Sequence, residues 1–168
     1  RTIQLPQKAQ VLLRELLSFL EARGFDEIWL VGGAVRDLLL GHTTLEDLDL
    51  ATPDSPVPAG IQYARKHHQG FVVLDQERAV LRLVHTDADG HCTIDLNRFK
   101  GIGIDADLRA RDFTMNALAV RLRSHDLEQL LPVYDILDGC RHLEQRELHT
   151  CADSSYRDDP LRLLRTYR

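Results

Sequence analysis

The apolar positions near the start of the chain follow a helical spacing. Between Pro6 and Gly24, leucines recur at i, i+3, i+4 and i+7, at positions 13, 16, 17 and 20. This spacing predicts an amphipathic helix with a proline near its start and a glycine at its end. The apolar run EIWLV at 27–31 lacks that period and predicts a short buried strand that leads into Gly32 and Gly33.

Further along, helical and strand patterns alternate. Residues 34–40 carry apolar side chains on one helical face and end at Gly41, which predicts a second helix. Residues 46–51 (EDLDLA) alternate acidic and apolar side chains, which is the period of a strand with two different faces. After a turn-rich connection, a third helix is expected over 59–69.

The middle of the chain is rich in strand-like runs. They cover 71–75, 79–85 and 92–99. The Asp89-Gly90 pair between the last two runs predicts a hairpin. Helical patterns return after Asp138, and Asp159-Pro160 is expected to begin another helix. We therefore expect an α+β fold, a mixed sheet with helices packed on it.

Composition bounds the size and class of the molecule. With 168 residues, 43% of them hydrophobic, the chain can form one compact domain, or one domain and the start of another. Its formal net charge of -5 argues against a free-standing nucleic-acid binder, because phosphate contacts need clustered Lys and Arg. Because the first residue is Arg1, we expect the chain to have been trimmed at its start.

The cysteines, the histidines and the hydropathy of the chain exclude several further classes of protein. The three cysteines lack CxxC spacing and the histidines show no mutual metal-ligand spacing, so the sequence predicts neither a disulfide framework nor a zinc site. The chain has no apolar run near the roughly 18 residues of a membrane span and no signal-peptide pattern at its start. We expect a cytoplasmic protein with no membrane partner.

The acidic strand carries the clearest chemical signal. Alternation places Asp47 and Asp49 on one face, while Leu48 and Leu50 can be buried on the other. Two carboxylates about 4 Å apart repel by roughly 4 kcal/mol at an effective dielectric of about 20, so folding alone does not favour the pair. Oxygen ligands of this kind suit Mg²⁺ or Mn²⁺. The alternative interpretation is a solvated acidic face.

Asp95 repeats this pattern in the run at 92–99, where Ile94 and Leu96 are expected to face inward. Three carboxylates on neighbouring strands would hold two metals. One metal would lower the pKa of an attacking hydroxyl and the other would bind a triphosphate.

The glycine pair lies between a predicted strand and a predicted helix. Gly32 and Gly33 let the backbone approach a ligand, and the exposed N–H groups of the first helical turn attract an anion. Arg36 lies one turn further on and would reach a phosphate. Such turns also serve packing alone. The helix at 34–40 can return the chain so that the acidic strand lies beside the one ending at Val31.

Together these motifs resemble the signature of class II nucleotidyltransferases of the polymerase beta superfamily, which include tRNA CCA-adding enzymes and bacterial poly(A) polymerases. The matching segments are, in order, LVGGAVRDLLLG (30–41), EDLDLAT (46–52), IDLNRF (94–99), DLRARDFTMNALAV (107–120), YDILDG (134–139) and RDDPLRLLR (157–165). The resemblance implies a polymerase-beta-like head with a mixed, mostly antiparallel sheet and flanking helices over 1–153, and the start of a helical neck over 154–168.

The resemblance also implies roles for single residues. Asp47 and Asp49 match the catalytic pair that binds Mg²⁺ or Mn²⁺, and Asp95 matches a third catalytic carboxylate. The triphosphate-binding turn is matched by Gly32, Gly33 and Arg36.

Two further motifs are matched by residues that would bind the nucleotide. Arg111 and Asp112 match those that handle the ribose, whereas Asp159, Arg162 and the supporting Arg165 match those that read the base. Cytosine and adenine both present an amino donor beside an unprotonated ring nitrogen, which a carboxylate and a guanidinium together match. The alternatives are an N-cap at Asp159, a structural Asp159–Arg162 ion pair and a surface Arg111–Asp112 ion pair.

The resemblance implies a metal-dependent enzyme that adds CMP and AMP from CTP and ATP to tRNA 3′ ends, with release of pyrophosphate. Rival functions with the same motifs are a poly(A) polymerase and an enzyme that adds only CC or only A. A more distant rival is an inactive nucleotide-binding module, whose signature would be a lost acid. Family members continue into helical regions that hold RNA, which reconciles an acidic head with tRNA or another RNA 3′ end as partner.

Overall fold

A computed structural model describes residues 1–87 and 90–166, and in that part of the chain eight strands form one sheet with helices on both faces. The strands are β1 (Thr2–Ile3), β2 (Ile28–Val31), β3 (Asp47–Thr52), β4 (Gly70–Asp75), β5 (Val80–Asp87), β6 (Gly90–Arg98), β7 (Leu118–Leu122) and β8 (Leu131–Asp135). The helices are α1 (Gln7–Glu21), α2 (Gly33–Leu39), α3 (Val57–Lys66), α4 (Gly103–Arg109), α5 (Gly139–Gln145), α6 (Ser155–Asp158) and α7 (Arg162–Arg165), with a 3-10 turn at Thr114–Asn116.

The strand order is β1-β8-β7-β2-β3-β6-β5-β4. Within the described residues, β3 and β6 run parallel and the other neighbours pair antiparallel. The predicted α+β class, with a mixed and mostly antiparallel sheet, is therefore confirmed. The parallel pair lies near the middle of the sheet. Strand β3 of that pair also pairs antiparallel with β2, and α2 connects β2 to β3.

Two hydrophobic clusters cover the two faces of the sheet. The larger contains the predicted leucine stripe of α1 together with α3 and one face of the central strands. The smaller packs Ile104 and Leu108 of α4 against Val31 and Ala51. Leu50 belongs to the larger cluster and Ala51 to the smaller, so successive residues of β3 face opposite layers.

Several elements differ from the sequence predictions. Strand β7 was not predicted because its first three residues, Leu118 to Val120, are all fully buried and show no alternation. β1, β8 and α4 were also missed. The last helix begins at Arg162, whereas the expected start was Asp159-Pro160. The hairpin between β5 and β6 is confirmed by their pairing, although Asp89 lies outside the described residues.

Among the residues that the structure describes, none of the helices combines the length and apolar character needed to cross a lipid bilayer.

Candidate active site

Two aspartates of β3 open into the largest of three described cavities. Asp47 and Asp49 line a cavity of about 890 Å³, which Gly33 and Arg36 of α2 also line. On the opposite face of the strand, Leu48 is buried in the larger core. Asp47 accepts a hydrogen bond of 2.5 Å from Thr93 Oγ1 on β6. Alternation along one strand therefore places both carboxylates at the same opening.

Asp95 lies beside this pair because of the parallel pairing of β3 and β6. In that register Asp49 stands directly opposite Asp95. Both oxygens of Asp95 accept hydrogen bonds from Arg82 of β5, at 2.7 and 2.8 Å. The structure thus brings the three predicted carboxylates together, and it adds a guanidinium that the sequence interpretation missed. Arg82 had no sequence signal, since it is an ordinary charged position in a strand.

The environment of Asp49 disfavours its charged form. Burial raises the pKa of Asp49, Arg111 lowers it, and the neighbouring Asp95 and Asp47 raise it again, with a net shift upward. A carboxylate that is partly desolvated beside two others is destabilised by folding. A cation at this cluster would remove that repulsion, which is the physical case for a metal site here.

The glycine turn lies against the same carboxylates. Val31, the residue before the turn, pairs with Asp49 across β2 and β3. Gly32 has a φ of 78°, and a Cβ there would lie 3.1 Å from Arg111 Nη1 and 3.4 Å from Asp49 Oδ2. Any larger residue would therefore be strained by the positive φ and would crowd the Arg111 guanidinium while touching Asp49. The turn, the acid and a guanidinium meet at one end of the sheet.

Arg36 is held over the cavity by two contacts. Its Nη1 donates to Asn116 Oδ1 at 2.7 Å, and its Nε donates to Asp37 Oδ1 at 2.8 Å. The side chain stays 28% exposed and lines the cavity. Arg36 is therefore fixed in direction and still accessible to an anion in the cavity.

Arg111 and Asp112 have separate partners, which differs from the surface ion pair weighed as an alternative. Nε and Nη2 of Arg111 donate to Asp107 Oδ2, at 3.1 and 2.8 Å. Asp112 lines the cavity and accepts hydrogen bonds from the Phe113 backbone N–H and from Arg165. Burial alone would raise the pKa of Asp112, but these hydrogen bonds, with one from the Asn116 amide, lower it.

Asp107 is a positioning residue that the sequence interpretation missed. It is 3% exposed, and its second oxygen accepts the backbone N–H of Lys100 at 2.9 Å. A buried carboxylate with both oxygens occupied fixes the Arg111 guanidinium in place. The spacing of Asp107 on α4 and Arg111 just after that helix, four residues apart, was the available signal.

The family resemblance implies that Arg111 binds the nucleotide, and on that expectation Asp107→Asn should weaken nucleotide use. The amide keeps the shape of the side chain but loses the charge that orients the guanidinium, so KM for the nucleotide should rise by roughly tenfold. Steady-state kinetics check this, with the exposed Asp105→Asn, also on α4, as matched control. An equal loss in both variants would remove the positioning role from Asp107.

The side chains of Asp159 and Arg162 lie close together, and each also has a hydrogen bond to another part of the chain. Asp159 Oδ1 accepts the Leu161 N–H at 3.0 Å, and Asp159 Oδ2 lies 3.9 Å from Arg162 Nε. Arg162 donates to the carbonyls of Ala110 and Arg111 and to another partner, Ser155 Oγ. Arg162 therefore connects the last segment, residues 159–165, to the backbone at Ala110 and Arg111. Of the described residues in that segment, Arg165 is the one that lines the cavity.

The chain matches proteins of one family along most of its length. Residues 28–149 match the family described as the Poly A polymerase head domain. The CC-adding tRNA nucleotidyltransferase of Synechocystis sp. is 38% identical over 140 residues, which cover 83% of this chain and 31% of that protein. The protein of the same name from Geobacter sulfurreducens is 36% identical, over 93% of this chain and 34% of its own length.

A solved structure agrees with this match. The Thermotoga maritima CCA-adding enzyme complexed with tRNA has a TM-score of 0.78 and 29% identity, over 97% of this chain and 37% of that one. The chain spans about a third of the length of the curated relatives it matches.

Proposed function

Because this chain belongs to the Poly A polymerase head domain family, we propose that it is the catalytic head of a template-independent RNA nucleotidyltransferase. The observation that carries the proposal is the meeting of Asp47 and Asp49 with the glycine turn at one cavity. The RNA 3′ hydroxyl would attack the α phosphate of the nucleotide, and pyrophosphate would leave. Most of the catalysis would come from positioning and charge neutralisation.

Divalent metals are used by nucleotidyltransferases of the polymerase beta type, and we propose Mg²⁺ or Mn²⁺ for this chain. Asp47 and Asp49 would hold the ion, since both offer carboxylate oxygens to the same cavity. When bound, the ion would acidify the attacking hydroxyl and neutralise phosphate charge. Asp95 would be available as a third carboxylate only after release from Arg82.

The remaining site residues would bind the nucleotide. At the glycine turn of Gly32 and Gly33, the Gly33 N–H at the start of α2 would face the triphosphate with Arg36 beside it, since the Gly32 N–H already donates to the Leu118 carbonyl at 3.2 Å. Arg111 and Asp112 would contact the ribose.

Base reading is proposed for the last segment. A carboxylate at Asp159 and a guanidinium at Arg162 fit the Watson-Crick edges of cytosine and adenine, with Arg165 in support. Asp159 already accepts a hydrogen bond from the Leu161 N–H, and Arg162 already donates to the Ala110 carbonyl. A bound base would have to compete with these two contacts.

We also propose a division of the chain into a head over 1–153 and the start of a helical neck over 154–168. The family match ends at residue 149, which supports a boundary soon afterwards. Ser155, however, is buried and donates to the Asp112 carbonyl at 3.2 Å, so the second unit begins against the first. A cytoplasmic location fits the proposed substrate.

The proposed substrates are CTP, ATP and the 3′ end of tRNA or another RNA. Addition of CMP and AMP, giving CCA, is the principal proposal. Addition of CC alone is the second candidate, and the names of the Synechocystis and Geobacter relatives favour it. Poly(A) synthesis has no comparable support among these relatives.

Product analysis separates these activities. The complete gene product that contains this chain is incubated with tRNA lacking its CCA end and with each NTP, alone and in pairs. CTP with ATP should extend the tRNA by CCA, whereas an enzyme of the second candidate type would stop after CC. Long products with ATP alone would indicate a poly(A) polymerase, and no extension under any condition would contradict the proposal.

A further inference from the structure

A second group of metal-ligating side chains lies outside the cavity of the acidic residues. His142 of α5 and two residues after that helix, Glu147 and His149, each bring one ligating atom within 4.8 Å of the others. The chain turns back because Arg146 adopts a φ of 57° and the Glu147 N–H bonds the His142 carbonyl. The sequence analysis found no metal-ligand spacing among the histidines, yet the structure brings His142 and His149 together with Glu147.

Hydrogen bonds determine which nitrogen of His142 can bind a cation. Arg141 Nη2 lies 2.9 Å from His142 Nε2 and can only donate, so Nε2 carries the lone pair. The ring proton is then on Nδ1, which lies 2.9 Å from Thr114 Oγ1 and donates to it. Histidine ligands of metals are held in this way, with the second ring N–H bonded to an oxygen.

We propose that His142, Glu147 and His149 form a Zn²⁺ site that is separate from the acidic residues of β3 and independent of the proposed function. Two imidazoles and one carboxylate, with water in the fourth position, are a zinc ligand set. Mg²⁺ prefers oxygen ligands and fits this group poorly. The fold brings all three side chains together where the chain reverses after α5.

The exposed pair can adjust to the buried ligand. His142 is 7% exposed and fixed by Thr114, whereas the side chains of Glu147 and His149 are each 49% exposed and contact each other at 3.1 Å. The rings of the two histidines stack, with centroids 3.9 Å apart, so His149 must rotate to direct a lone pair at the shared ion. Arg141 is the cation that Zn²⁺ would displace from Nε2.

Zn²⁺ bound at this site would stabilise one wall of the cavity that Asp47, Asp49 and Asp112 line. The Thr114 N–H donates to the His149 carbonyl at 2.9 Å, and Phe113 pairs with Thr150. Zn²⁺ would therefore cross-link α5 to residues 147–150. This segment bonds to Phe113 and Thr114, which follow Asp112 in the chain. We expect the melting temperature of the metal-stripped protein to rise when Zn²⁺ is added, and to rise further with the logarithm of the ratio of free Zn²⁺ to its Kd.

Calorimetric titration with Zn²⁺ tests the site, in the native protein and in an Asp47→Asn/Asp49→Asn variant that removes the other candidate metal ligands. Both should bind one Zn²⁺ at the histidine site. His149→Ala and Glu147→Gln should each weaken that binding by at least about tenfold. The matched control is His125→Ala, because His125 is exposed and also lies near a carboxylate, that of Asp126.

Arg141→Ala separates a metal site from a purely structural histidine cluster. It removes the donor that occupies His142 Nε2, so Zn²⁺ affinity should increase by several-fold, whereas a structural role predicts no gain. Unchanged zinc affinity in both His149→Ala and Glu147→Gln would overturn the proposal. Loss of affinity in the control to the same degree would overturn it as well.

Discussion

Replacing both β3 aspartates, Asp47→Asn with Asp49→Asn, should reduce nucleotide transfer by at least about a thousandfold. The amides keep the shape of the side chains but remove the negative charge that would hold the divalent ion. Transfer of labelled CMP to tRNA lacking its CCA end, measured with the complete gene product, gives the rate. The expected loss corresponds to about 4 kcal/mol in activation free energy.

The fold of this double variant should be retained. Burial raises the pKa of Asp49, and Asp95 and Asp47 repel it, so the charged carboxylate opposes folding and its removal should not lower the free energy of unfolding. The matched control is Asp26→Asn with Asp54→Asn, since both residues are exposed. Transfer at the native rate in the β3 variant would exclude the proposed metal site.

Base selection should weaken when the carboxylate of the last segment is removed. In Asp159→Ala, the ratio of kcat/KM for CTP to that for UTP should fall by about a hundredfold, because a site that hydrogen-bonds its substrate discriminates strongly against a mismatched group. The carboxylate accepts only, so it matches the amino group of cytosine and is mismatched with the carbonyl of uracil. Competition between CTP and UTP on the same tRNA measures the ratio directly.

A comparison variant distinguishes base reading from a structural role of Asp159. Asp159→Asn keeps an oxygen that can accept the Leu161 N–H, so the turn is retained while the acceptor-only character is lost. If Asp159 reads the base, both variants should lose selectivity while the exposed Asp153→Ala should not. Selectivity unchanged in Asp159→Ala would assign the residue to the turn alone.

The parts of the site that the sequence predicted depend on local periodicity. Alternation in EDLDLA was enough to place Asp47 and Asp49 on one face, since a strand reverses its side chains at each residue. The position of Gly32 against Asp49 also followed, because a short helix returns the chain to the neighbouring strand. Both arguments use residues close together along the chain.

The parts that escaped prediction depend on pairing between distant segments. Arg82 contacts Asp95 only because β5 and β6 pair in that register. The first three residues of strand β7, Leu118 to Val120, are buried on both faces and show no alternation to detect. His142 and His149 meet only where α5 stops and the chain reverses, a turn for which the helical pattern after Asp138 gave no signal.

The parallel pairing of β3 with β6 has a consequence for how the protein acquires its site. The elements α3, β4 and β5 separate Asp49 from Asp95 along the chain, so a long loop must close before the carboxylates assemble. Long-range strand pairing of this kind forms slowly, because the entropy of loop closure is lost before the contacts are gained. A partly folded chain would therefore lack the cluster of three carboxylates, and the approach of Asp95 to Asp49 during refolding would accompany completion of the central sheet.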